Sequence, residues 1–268
     1  MIIRINNADF SANNIGEVDI PITYDPDALA YLNAIPVTFA GMTYAKKKAI
    51  NIFFKKLKSN GIYSKIIRLF LPIFGQSDGG VNLINPLENI AFPTDSSIAT
   101  YNSKGIYFLK GWGCPFTVLS QDMHAGSYNT TSAPDVDKVR VSIGKSSAEF
   151  WLGRRISSSR LAGLLPNPTT PRINFSNQMT AIGPLIGTSK TSITTQSAVV
   201  GYDMQTQVNG NYVPTGAINL VLGSHTVNDS VNTQETSYGL FSFGSYLTPS
   251  ELTAYGQLQI NLINVLVA

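Results

Sequence analysis

Charged side chains are scarce in this chain: Asp, Glu, Lys and Arg make up 13% of it, about half the usual share of a soluble domain. Ser, Thr, Asn, Gln and Gly fill the deficit, a composition associated with extracellular and virion β proteins. Cysteine is nearly absent. Cys114 alone allows no intrachain disulfide, so a disulfide scaffold is excluded. Its neighbours Trp112, Gly113 and Pro115 predict a buried thiol at a strand end rather than a nucleophile. His124 and His225 are the only histidines, too far apart in sequence to suggest a zinc site. No apolar run reaches the 18 residues of a membrane span. The opening Met1-Ile2-Ile3-Arg4-Ile5-Asn6 turns polar too early for a secretory leader. The expectation is synthesis in a cytoplasm and release within a particle.

What charge there is has been gathered. The formal net charge is +3, yet eight of the 19 basic residues lie between Lys46 and Arg68, with no acid among them. Elsewhere 16 acidic residues outnumber the remaining bases. The sequence therefore reads as a basic module on a mildly acidic body. No nucleic-acid-reading motif accompanies the basic run, so specific nucleic-acid recognition is not expected. A solvated face or a docking surface for an acidic neighbour is the expected use.

Three regions follow from patterning. Residues 1–24 read as an extended arm, in which Ile3 and Ile5, then Val18, Ile20 and Ile22, alternate with polar residues. Residues 25–75 read as a helical module. Its first element spans Tyr44 to Ser59, with Thr43 as N-cap, Asn60-Gly61 as stop, and Ile50, Phe53, Phe54 and Leu57 as one apolar stripe. A second amphipathic piece runs from Ser64 to Pro72. Residues 76–268 read as a β-sandwich with a C-terminal helix. Its predicted strands are 105–109, 116–119, 139–143, 148–152, 183–187, 197–202, 218–222 and 238–243, separated by turn signals. The proline-rich stretch from Arg160 to Arg172 reads as a long loop. Thr248-Pro249-Ser250-Glu251 is a capping box that starts the last helix, with Leu252, Tyr255, Leu258, Leu262 and Leu266 at helical spacing.

The ending Gly239-Leu240-Phe241-Ser242-Phe243-Gly244-Ser245-Tyr246-Leu247-Thr248-Pro249-Ser250-Glu251-Leu252 resembles that of laminin-G-like, concanavalin A-like jelly-roll sandwiches of bacteriophage and bacterial surface proteins. There a core strand of aromatic-x-aromatic-Gly form runs into a capped helix. Residues 54–66 and the Val81–Pro86 segment resemble the helix-turn region and the sandwich opening of phage tail-fibre-like proteins, with Tyr63 where a Trp is usual. These are packing motifs and specify a fold more than an activity. The resemblance implies a mainly β structural protein of a virion, in its tail, fibre or capsid decoration. Its implied partners are other virion proteins, copies of itself and a host-surface glycan.

Each candidate site also has a plainer role. A glucanase of this fold would carry Glu-x-Asp-x-x-Glu on one strand; no such string exists, and a polysaccharide hydrolase is not expected. Asp135 and Asp137, or Asn228-Asp229, are the candidates for holding calcium, the one cofactor considered; acids in turns are more often Asx-turns. For stacking on a sugar, Tyr128, Tyr212 and Trp112 are the candidates, Tyr128 and Tyr212 because Gly, Ser and Asn flank them as in loops; Tyr202 and Trp151 come behind, the latter lying in an apolar run. Assembly contacts are expected at Ile3, Ile5 and Phe10 of the arm and at Lys46, Lys47, Lys55 and Lys56 of the basic helix. The alternative to a virion part is a free-standing lectin-like module.

Overall fold

The structure is a computed structural model that describes residues 21–118, 122–131, 138–143, 150–155, 160–162, 182–190, 193–200, 203–208, 218–222 and 237–268. Ile3, Ile5, Phe10, Asp135, Asp137 and Tyr212 lie outside these residues.

The two helices expected from capping chemistry, after Thr43 and after Thr248, form, and two shorter ones precede them. Helix α1 (Pro26–Ala34) begins with Pro26 at its first position, and the Asp25 side chain accepts from Asp27 N–H. A short α2 (Pro36–Gly41) follows. Helix α3 (Tyr44–Ser59) has its Thr43 cap accepting from Lys46 N–H, and Gly61 at φ 68° turns the chain away. Its stripe of Ile50, Phe53, Phe54 and Leu57 is buried. The last helix, α5 (Pro249–Val267), carries both halves of the capping box: Thr248 accepts from Glu251 N–H, and Glu251 accepts from Thr248 N–H. A single turn, α4 (Gly75–Asp78), lies between.

The second amphipathic piece is not a helix. Residues Ile66–Phe70 form strand β1. The β-branched pair Ile66-Ile67 and the following Pro72 favour extended chain, and the hydrophobic spacing suits either geometry. β1 pairs antiparallel with β13 (Tyr238–Ser245), with Leu69 opposite Ser242 and Phe70 opposite Phe241. Its other edge is closed by the Asn82 side chain and by the Leu83 N–H, which donates to the Leu69 carbonyl. Asn82 accepts from Leu69 N–H and Ile84 N–H through Oδ1 and donates from Nδ2 to the Ile67 carbonyl.

The remaining strands are β2 (Ala99–Asn102), β3 (Gly105–Phe108), β4 (Trp112–Val118), β5 (Met123–Asn129), β6 (Lys138–Ile143), β7 (Phe150–Arg155), β8 (Arg160–Ala162), β9 (Gly183–Lys190), β10 (Ile193–Val200), β11 (Asp203–Val208) and β12 (Ile218–Leu222). All pairings are antiparallel. An eight-stranded sheet has the order β11-β10-β9-β5-β13-β3-β2, with β1 also on β13; a five-stranded sheet has the order β4-β12-β6-β7-β8. The chain is thus mainly β. Each predicted strand overlaps one of these, whereas β2, β5 and β11 were not foreseen. β8 occupies the first three residues of the predicted Arg160–Arg172 loop.

The central strands of the large sheet are buried on both faces. Every residue of β5 is buried, as is all of β13 but Ser245. One face carries Met123, Ala125, Leu185, Phe241 and Phe243, which share a core with Phe92, Phe108 and Leu222 and with Trp112 and Cys114 of β4. The other carries Tyr128, Ile186 and Leu240, which share a second core with Phe54 of α3 and Leu252, Tyr255 and Ile263 of α5. Residues 25–75 pack onto the β body: α3 lies with α5 over the large sheet, and β1 belongs to that sheet.

Candidate functional site

Three places concentrate polar or charged chemistry among the described residues: a lysine-bearing face of α3, a buried network under α5, and one end of the large sheet.

The stripe that α3 buries leaves Ala45, Lys48, Ile52, Lys55, Lys56 and Ser59 exposed on its opposite side. Ile52, 45% exposed, sits amid Lys48, Lys55 and Lys56. Helix geometry brings these together, since residues three and four apart are surface neighbours. Lys58 is committed elsewhere. Its Nζ lies 2.6 Å from Asp25 and 2.7 Å from Asp27. Partial burial works to raise the Asp25 pKa, but the hydrogen bond from Lys58 prevails and holds that carboxyl below its ordinary range. The Lys47 ammonium stands 4.7 Å over the Phe39 ring. Lys55 donates to the Thr23 carbonyl at 2.9 Å, which leaves its charge uncompensated. Among the described residues, the ion pairs use Lys58, Lys65 and Arg68, not Lys46, Lys48, Lys55 or Lys56. Of the predicted assembly lysines, Lys55 and Lys56 share the exposed face with Lys48, whereas Lys46 and Lys47 are half-buried on other sides of the helix.

Under α5, His124 Nδ1 lies 2.6 Å from the Ser245 carbonyl and Nε2 lies 3.1 Å from Ser242 Oγ. A carbonyl only accepts, so Nδ1 carries the proton and Nε2 accepts from Ser242. Tyr255 in turn donates to Ser242 Oγ at 2.7 Å. Burial lowers the His124 pKa to about 4, with the Ser245 hydrogen bond opposing. At neutral pH this is a run of uncharged, satisfied groups that pins α5 to the sheet.

At the far end of β5 the chemistry differs. Thr130 Oγ1 donates to the Lys104 and Ser237 carbonyls, Asn102 Nδ2 donates to Ser237 Oγ, and Ser237 N–H donates to Thr131 Oγ1. These bonds tie β5, β13 and the β2–β3 turn together. Beside them, Asn129 pairs across the ladder with Tyr238 and with Gly183, and Ser127 with Phe241 and Leu185. Among the described residues, the Asn129 amide and the Ser127 hydroxyl are wholly buried and have no hydrogen-bond partner. Such groups cost about 1–3 kcal/mol each when left unpaired. This end offers neutral amide and hydroxyl groups beside an aromatic ring.

The aromatic candidates fare differently from expectation. Tyr128 is not on a loop: it is 2% exposed in β5, and its hydroxyl meets Asn264 Oδ1 at 3.4 Å. The small polar residues that looked like a loop are those that fit a strand packed on both faces. Trp112 is spent on the inter-sheet core, stacked on Phe108 with ring centroids 6.4 Å apart and tilted on Phe92 at 5.6 Å. Neither ring is free to take a sugar. Cys114 also packs on that core, and burial pushes its thiol well above its ordinary pKa, the reverse of what a nucleophile needs. Sequence reasoning missed Ser127 and Asn129, because β5 lacks the alternation that marks a strand. Among the described residues no group of three or more His, Cys, Asp or Glu side chains could hold a metal, and no helix is long and apolar enough to cross a membrane.

No protein-family model and no curated protein matches the chain. Solved structures do. A Trypanosoma rangeli sialidase in complex with sialic acid is matched over 80% of this chain and 39% of its own, at 10% identity and TM-score 0.50. The same sialidase with 2,3-difluoro-KDN is matched over 80% and 40%, at 9% identity and TM-score 0.50. The chain spans about two fifths of the sialidase chains it matches. At such identity the likeness is one of fold alone.

Proposed function

We propose that this chain is a non-catalytic structural protein of a bacteriophage particle, in its tail, fibre or capsid decoration, built on a concanavalin A-like jelly-roll sandwich. The observation that carries the assembly role is the one-signed face of α3, where Lys48, Lys55 and Lys56 surround the exposed Ile52. Cations around an apolar centre suit a protein neighbour with acids around an apolar depression. The helix bearing them is bolted to the sheet through Phe53, Phe54 and Leu57, so a force on that face passes to the β body. Peptide mass spectrometry of gradient-purified particles tests the role. The chain should be present in fixed ratio to the major shell protein; a chain found only in the soluble fraction refutes it.

A second reading, a lectin-like glycan-binding module, has its own support in the buried Ser127 and Asn129 groups at the sheet end. The fold likeness to a sialidase that binds sialic acid makes sialylated glycans the first to try. Calorimetric titration should show binding that Asn129→Ala abolishes, with and without calcium; no heat with sialylated or neutral glycans removes this reading.

A further inference from the structure

The exposed side of α3 has a register. Ala45, Lys48, Ile52, Lys55 and Ser59 are all exposed and follow one another at alternating steps of three and four residues. That alternation is the spacing of a coiled-coil seam. Residues seven apart differ by only about 20° around the helix, so the stripe resolves into rows. Ala45, Ile52 and Ser59 form the middle row, about 21 Å long at 1.5 Å per residue. Lys48 and Lys55 form a row on one side of it, and Lys56 stands on the other.

The face is already built before a partner arrives. Phe53, Phe54 and Leu57 fix the helix from beneath. Asn51 and Lys55 both donate to the Thr23 carbonyl, and the Lys48 ammonium stands 5.8 Å from the Tyr44 ring centroid. Both lysines of the first row are thereby held in place, which lessens the ordering cost of docking. Neither they nor Lys56 take part in an ion pair among the described residues.

The chemistry of the face selects its occupant. An added β-strand finds no free backbone N–H or C=O along the side of a helix. A bilayer gains little, because Ile52 is the one large apolar side chain that α3 exposes. A nucleic-acid backbone would meet Ile52 in the middle of the cations. A second helix suits all three rows. Small Ala45 and Ser59 allow close approach, Ile52 enters the space between four side chains of the facing helix, and acids on that helix meet the lysines.

We propose that this face receives one amphipathic helix of a neighbouring protein, with an apolar seam over the middle row and Asp or Glu on both flanks against Lys48, Lys55 and Lys56. This rests on the docking role of α3 and names the class of its partner.

The test uses a hydrocarbon-stapled helix of three heptads, with Ala and Leu along its seam and Glu on both flanks, titrated with the full chain by fluorescence anisotropy. It should bind saturably, about ten-fold or more tighter than a stapled peptide of the same composition in scrambled order. Binding should weaken several-fold at about 1 M salt, where the screening length falls to roughly 3 Å. Ile52→Asp should weaken it about ten-fold or more. In the variant Lys48→Glu with Lys55→Glu, preference should reverse toward a peptide with Lys on its flanks, while the melting temperature stays put. Equal binding of the ordered and scrambled helices overturns the proposal, because charge alone then suffices. So does the absence of saturation at about 1 mM peptide, or tighter binding to phosphatidylglycerol vesicles than to the helix. Were the helix to fail while a chain with these lysines reversed is still left out of particles, the docking role would stand and only its helical partner would fall.

Discussion

The imidazole of His124 lies on the helix-facing side of β5, edge-on to the Tyr255 ring and fully buried. Its pKa falls from 6.5 to about 4 because burial disfavours the cation. The unfolded chain thus binds a proton at a pH where the folded chain does not. Stability from this site is complete above pH 6.5 and is lost as pH falls toward 4, by up to ~1.4 kcal/mol per unit. Urea unfolding at pH 7 and pH 4.5 should show this loss, and His124→Gln should flatten the dependence. An unchanged slope would mean that other groups govern it. Asn82 is a second such residue. Its side chain makes three hydrogen bonds that seal the edge of β1. Asn82→Ala should cost roughly 1–3 kcal/mol, since it strands buried backbone groups; a urea midpoint within error of the parent would contradict that role.

Elements turn on caps and on close approaches. A Cβ on Gly244 would stand 2.0 Å from the Lys65 carbonyl oxygen and 2.7 Å from the His124 ring. Gly244→Ala must therefore push β1 off β13 and should cost roughly 1–3 kcal/mol or more. Gly41, with open space around its Cβ position, is the control, and Gly41→Ala should be neutral by thermal melting. Thr248→Ala removes the cap of α5 and should cost about 1 kcal/mol. Partial burial works against the Glu251 carboxylate, but Lys65, 2.7 Å away, pulls its pKa below the ordinary range. α5 is thereby tied to the turn before β1.

These elements were not equally legible in the sequence. α3 and α5 could be read because a cap, a stripe and a stop agreed. Strands packed on one core only, such as β3, announced themselves by short β-prone runs. β5 stayed hidden because both its faces are buried. Helices cover one and the second sheet the other, so Met123, His124, Ala125, Gly126, Ser127, Tyr128 and Asn129 show no alternation. Gly126 is required there, since a Cβ would stand 2.9 Å from the Ile186 side chain. The same blindness put Tyr128 on a loop and missed Ser127 and Asn129. β1 was misread because Ile66, Ile67, Leu69 and Phe70 fit a helical stripe as well as an edge strand, and only pairing with β13 decides. The basic character of α3 was visible because a run of one charge sign needs no tertiary information, but not its face, since Lys48 and Ile52 are exposed where Lys46 and Lys47 are half-buried.

At the scale of the molecule, helices, large sheet and small sheet form three layers around two cores. The outer side of the helical layer is a basic face. Because α3 and α5 share a core with Tyr128, Ile186 and Leu240, the helical layer should melt with the large sheet in one transition. Hydrogen exchange that protects α3 and β5 alike would show it, and early loss of α3 alone would not fit.

The basic face is where the functional account can be tried most directly. Replacing Lys48, Lys55 and Lys56 by Glu changes exposed groups, so the melting temperature should shift by only a few degrees. The decisive quantity is the amount of this variant in gradient-purified particles, relative to the parent chain expressed beside it. The account predicts that the parent chain is incorporated and the variant is left in the soluble fraction. Equal incorporation of a folded variant would contradict it, and would move the docking surface away from α3.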